Sequence, residues 1–193
     1  MSVPRWLTDT QQHTWRAFLE ASQRLNEQLD RELQHQAGLP LAYYQILAML
    51  SEAPHQTLRM RELAQRTWSS RSRLSHAVDR LEENGWIRRL SCPSDKRGSF
   101  AVLTEAGLEV LTAAAPGHVA SVRQHLFDQL SDEQVRALGE ISTTVAAHLA
   151  SAAGDPLPLG EGGGEGCPHA DTHPSPAASR LDKAVPEGEA ISR

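Results

Sequence analysis

Residues 69–86 read SSRSRLSHAVDRLEENGW. Leu74, Ala77, Val78 and Leu81 recur at the spacing of one helical face, Ser69 or Ser70 stands where a hydroxyl can cap the first amides, and Gly85 ends the run. If that stripe faces a core, Ser72, Arg73, Ser75, His76 and Arg80 turn largely away from it. The outward set suits the floor and walls of a DNA groove. Arg73 can present two parallel donors to guanine O6 and N7, and the serine hydroxyls can bond bases or phosphates. Amide donors at the helix start, where Ser70 and Arg71 sit, favour an anion. Arg71 therefore reads as a positioning contact and Arg73 as the base reader.

The neighbours of this helix complete a module. Upstream, RMRELAQR (59–66) predicts a short helix with Met60, Leu63 and Ala64 inward. Downstream, WIRRL (86–90) and SFAVL (99–103) flank CPSDKRG (92–98), whose Pro, Asp and Gly predict the turn of a β-hairpin with a basic tip. Helix, short helix, helix and two-stranded ribbon is the order of a winged helix-turn-helix, so the fold class is mainly α, with a small β component. At the tip, Asp95 can orient Arg97 for a narrow minor groove, and Lys96 and Ser99 are expected phosphate partners. Arg59, Arg61 and Arg66 would border the same anionic surface.

Working outward, TDTQ from Thr8 is a capping box, followed by Trp15, Phe18, Leu19, Ser22, Leu25, Leu29 and Leu33 on one helical face, to about His35 before Gly38 and Pro40. LAYYQILAML (41–50) predicts a second helix, stopping before Pro54. Thr104 caps a helix over TEAGLEVLTAAA that Pro116 and Gly117 are expected to kink or interrupt before it resumes towards Leu126. SDEQ from Ser131 is another capping box, and Val135, Leu138, Ile141, Val145 and Leu149 stripe the last helix. The first helix and the last two carry more aliphatics than a small winged module can cover, and a two-fold arrangement would bury them. The expected organisation is a domain over 1–150, with dimerisation helices at about 8–36 and 104–150 and a DNA-binding lobe at about 55–103. From 151 to 193, interleaved Gly and Pro with few large apolar residues predict a disordered tail. There is no internal repeat.

Net charge is −5 over 193 residues, which taken whole disfavours a polyanionic partner. The distribution reverses that impression: residues 57–99 hold ten basic side chains against five acidic, while 151–193 hold three against seven. Screening confines each field to about 8 Å, so the local surplus decides. No run of about 18 apolar residues and no secretory signal in the first thirty residues point to a cytoplasmic protein without membrane partners. Cys92 and Cys167, far apart, read as reduced thiols rather than a disulfide framework.

These segments, chiefly RMRELAQR, SRSRLSHAVDRLEENGWIRR and SDKRGSFAVLTEAG, together with the flanking helical regions, resemble the multiple antibiotic resistance regulator (MarR) family over roughly residues 10–150. The resemblance implies a homodimeric transcription factor, mostly a repressor, whose first and last helices interlock while paired winged domains read a pseudo-palindrome. Where the family wing often has two successive Asp and Arg pairs, only Asp95 and Arg97 match here; Gly98 and Ser99 stand where the second would begin. The resemblance also implies a small, often aromatic effector between the dimer region and the winged lobe, where His13, Trp15, Arg16, Tyr43 and Tyr44 would lie. Trp15 and Tyr44 also sit at core spacing.

Other functions fit the sequence less well. His76 near Asp79 has no nucleophile or paired carboxylate beside it, and no glycine-rich phosphate loop, nucleophile elbow or metal-ligand cluster marks the folded part, so an enzyme is not expected, nor a metal or cofactor. Cys92, with Arg89 near it to lower its pKa, raises the alternative of a thiol-based redox regulator. Cys167, His169, Asp171 and His173 are metal-ligating types, but their spacing is read as adventitious. A winged-helix protein-interaction module, its basic helix meeting an acidic protein, is the remaining alternative.

Overall fold

A computed structural model describes residues 4–91 and 99–153. The elements in chain order are α1 (Asp9–Ala37), α2 (Leu41–Ser51), β1 (Thr57–Arg59), α3 (Met60–Arg66), α4 (Arg71–Glu83), β2 (Ile87–Ser91), β3 (Ser99–Leu103), α5 (Glu105–His125) and α6 (Asp132–Ala153). The protein is a mainly helical winged helix-turn-helix with one small antiparallel sheet in the order β1-β3-β2. Leu58 pairs with Ala101 on one side of β3 and Arg89 with Ala101 on the other. The hairpin forms as expected, and β1 joins it as a strand the sequence did not announce.

The caps form where their chemistry predicts. Thr8 Oγ1 accepts from the Gln11 amide at 3.2 Å while Gln11 Oε1 accepts from the Thr8 amide at 3.0 Å, the two halves of a capping box. Ser131 and Gln134 repeat it at the head of α6. Asp30 of α1 accepts from the Leu41 amide at 2.8 Å, so α1 itself satisfies the start of α2, where Pro40 offers no side-chain cap.

Pro116 does not interrupt its helix: α5 runs from Glu105 to His125 with the proline inside it. Pro116 and Thr112 are both exposed, so the carbonyl that proline leaves unpaired lies on the solvent side, and α1 and α2 hold the helix from the other face. The last helix continues to Ala153, into the stretch read as tail.

The core is one cluster. Leu33 of α1, Leu47 and Leu50 of α2, Leu63 of α3, Leu74, Val78 and Leu81 of α4 and Ile87 of β2 are all fully buried, which fixes the exposed side of α4. Gly107 lets the first turn of α5 pass against the Trp86 carbonyl, where a Cβ would overlap the backbone, so α5 and the turn that leads into β2 lie in direct contact.

Candidate nucleic-acid interface

The N-terminus of α4 is capped by Ser70, not Ser69: Ser70 Oγ accepts from the Arg73 amide at 3.3 Å. With Leu74, Val78 and Leu81 buried, Ser70, Arg71, Ser72, Arg73, His76 and Arg80 are exposed together on the opposite face. Among the described residues, Arg71 and Arg73 make no ion pair, so two guanidiniums stand beside the positive end of the helix with their donors uncommitted. Arg80 is different: Glu83 takes its Nη1 at 2.8 Å, and this partner pushes its pKa further up.

Ser75 is half-buried and turned towards the wing. Arg89 of β2 reaches back over α4, its Nη1 2.8 Å from Asp79 Oδ1, its Nη2 donating to the Ser75 carbonyl at 2.9 Å and more weakly to Ser75 Oγ at 3.4 Å. The Arg89 amide donates to Glu82 Oε1 at 2.9 Å. Arg89 is thus a clamp between β2 and α4, which occupies the guanidinium expected to activate Cys92; Cys92 lies outside the described residues.

Arg59 and Arg61 are exposed at the start of α3, with the Arg59 guanidinium 5.0 Å from the Phe100 ring centroid. That stacking presents a cation at the root of the wing. Arg66 is less free than these two: it is half-buried and held by Glu62 at 2.8 Å within α3. Ser99 is half-buried and pairs with Ser91 at the base of the wing. Asp95, Lys96 and Arg97 lie outside the described residues, as do Cys167, His169, Asp171 and His173. Arg88, exposed on β2, and Trp68, exposed in the turn between α3 and α4, were not singled out from sequence. The aromatic in TWSS, off both helical stripes, was the available signal for the second.

The five residues expected at an effector site do not share one site within the chain. His13, Trp15 and Arg16 are exposed on the N-terminal turns of α1, with Trp15 stacked on Phe18 at 6.2 Å between ring centroids. Arg16 lines a shallow depression along α1 with Glu20, Gln23 and Glu27. Tyr43 instead lines an open groove of about 620 Å³ with Arg73, His76, Asp79, Arg80 and Glu83. Tyr44 packs on His118 of α5 with ring centroids 4.4 Å apart; burial pushes the Tyr44 hydroxyl's pKa up and the His118 imidazole's down. Among the described residues there is no cluster of His, Cys, Asp and Glu that could hold a metal, and no helix is long and apolar enough to cross a membrane.

The sequence pattern of the MarR family matches residues 37–98, which span α2 to the wing. A MarR family transcriptional regulator from Streptomyces coelicolor, Sco3205, solved in complex with DNA, is 56% identical, with a TM-score of 0.73 over 80% of this chain and 98% of that one. AbsC, another MarR family regulator from the same organism, is 47% identical, with a TM-score of 0.70 over 77% of this chain and 99% of that one. Among curated proteins, the HTH-type transcriptional regulator MhqR of Bacillus subtilis is 26% identical over 121 residues, 63% of this chain and 81% of the relative.

Proposed function

Because the chain belongs to the MarR family of DNA-binding transcriptional regulators, we propose that it is a cytoplasmic homodimeric repressor, released from a pseudo-palindromic operator by a small aromatic ligand. The observation that carries the DNA-reading part is the exposed face of α4, where Arg71 and Arg73 are uncommitted and Ser72 and His76 stand beside them. Arg73 reads a base, and Arg71, Ser70 and Arg61 position the protein on phosphates. Two copies would place their α4 helices in successive major grooves, with half-sites roughly 34–36 Å apart.

The dimer is supported by what α1 and α6 leave uncovered. Trp15, Phe18 and Leu19 on α1 and Ile141, Val145 and Leu149 on α6 are exposed along the apolar stripes of their helices. A second copy is the cover of matching chemistry, in a two-fold, self-complementary contact. Ligand release is supported by the groove that Tyr43 shares with Arg73, His76 and Arg80: an aromatic anion there would occupy the donors that DNA needs. His13, Trp15 and Arg16 would join such a site only from a second copy.

Binding to duplexes from the promoter beside its own gene, followed by anisotropy across a salt series, tests the reading. Affinity should fall log-linearly with salt, with a slope of about −0.9 per phosphate neutralised; a flat line counts heavily against it. Arg73→Ala should cost about 1–3 kcal/mol at one base position and relax discrimination there. Equal weakening on every sequence would move base reading to another side chain.

A further inference from the structure

Two helix ends in this protein are built from the same hydrogen bonds. After α4, the Trp86 amide donates to the Leu81 carbonyl and the Gly85 amide to the Glu82 carbonyl, both at 2.9 Å, with Gly85 at φ 75°. After α3, the Ser69 amide donates to the Ala64 carbonyl at 3.0 Å and the Trp68 amide to the Gln65 carbonyl at 3.2 Å, with Trp68 at φ 52°. This is the Schellman closure, whose left-handed residue is usually glycine because a Cβ crowds the following carbonyl. Gly38 ends α1 in the same left-handed region at φ 63°, closed by a single bond from its amide to the Gln34 carbonyl. At the end of α3 the position holds tryptophan.

Packing does not compensate for the strained backbone, because the Trp68 side chain is 79% exposed and, among the described residues, no hydrogen bond or ring contact holds it. The free protein therefore loses twice at this residue, through a disfavoured backbone and through an apolar ring left in water. Its location indicates what offsets that loss. Trp68 lies in the turn that leads into α4, followed by Ser69, the cap residue Ser70 and the exposed Arg71. This is the border of the DNA-reading face, where a major-groove helix meets the strand that walls the groove.

We propose that the Trp68 indole lies on the sugar–phosphate backbone at the edge of the major groove, its ring against a deoxyribose and its Nε1–H donating to a phosphate oxygen. The assignment rests on the reading of α4 as the groove-contacting helix. An uncharged donor here fixes the register of α4 and carries no base information. It adds affinity without releasing a counterion, which separates it from every arginine on the same face.

The test uses the full chain with Trp68→Gly and Trp68→Phe, measured by anisotropy on a duplex the wild type binds tightly and on a mismatched one, across a salt series. Thermal melts and light scattering accompany it. Trp68→Gly should weaken both duplexes by a similar factor, about tenfold, as loss of a hydrogen bond to a charged group implies. The salt slope should not change, and the melting temperature should be no lower than that of the wild type, since glycine accepts this backbone conformation freely. Trp68→Phe, which keeps a ring but no N–H, should fall between the two.

Undiminished affinity in Trp68→Gly overturns the proposal. So does a melting temperature that falls along with affinity, which would make the ring structural, or a reduced molecular mass, which would place it against a second copy. Wild-type protein that binds no duplex at any salt would overturn the reading of α4 and this contact with it; tight wild-type binding with an indifferent Trp68→Gly removes the contact alone.

Discussion

The winged lobe and α6 carry the same kind of apolar stripe and meet opposite fates. In α4, Leu74, Val78 and Leu81 are fully buried against α3, α2 and the sheet. In α6, Ile141, Val145 and Leu149 repeat at a four-residue spacing, and Ile141 is still 62% exposed. A helical stripe states that a face needs cover; it does not state which chain supplies it. The lobe is closed by its own elements and by the Arg89 clamp, whereas the apolar stripes of α6 and of the first turns of α1 stay uncovered within the chain, as the proposed dimer requires.

The sharpest break of that contrast is Ile141→Asp together with Val145→Asp. Carboxylates on a face that solvent already reaches leave the protomer's fold intact, while burial of the same face in a dimer would strand two unpaired charges. Light scattering should give the protomer mass. Operator affinity should fall about 10²–10⁴-fold, because two linked α4 helices become two independent ones. A double variant with unchanged mass would show that α6 is not the contact.

Leu81→Ala attacks the other region. Its side chain is fully buried in the lobe, so truncation should cost about 2–5 kcal/mol in urea unfolding, with the folded fraction keeping its mass. A loss well under that range would mean the lobe collapses onto the cavity, and the two regions would differ less than their burial implies.

What could be read from sequence divides along the same line. Caps such as Thr8 with Gln11 and Ser131 with Gln134 were legible because both partners sit within one turn. β1 was not, since Thr57–Arg59 is too short to display alternation and exists only by pairing with β3. The continuity of α5 past Pro116 was not legible either, because it depends on whether the freed carbonyl meets water, a property of the packed helix. The arginines separate by the distance of their partners: Arg80 and Glu83 are three apart, but the role of Arg89 required β2 to fold back over Asp79 and Ser75. Arg71 and Arg73 were read as interface residues from their side of α4, and the structure leaves them exposed. The left-handed backbone of Trp68 has no signature in composition or periodicity.

The smallest expected effect lies at the junction of the two regions. Glu32 of α1 is held by the Ser121 hydroxyl of α5, by the Gln28 amide, and by His125 of α5, whose Nε2 is 2.7 Å away. These donors favour the carboxylate and lower its pKa from 4.5 to about 2. A carboxyl held down in the folded protein contributes stability that is complete above about 4.5 and lost as pH falls through about 2. Glu32→Gln should therefore start with a lower melting temperature at pH 6 and lose less of it between pH 5 and pH 2 than the wild type does. The difference should be modest, because the carboxylate keeps part of its water and its partners are partly exposed. Parallel acid profiles would mean that α1 and α5 are joined here by packing alone, with the carboxylate contributing nothing to the link between the closed lobe and the open helices.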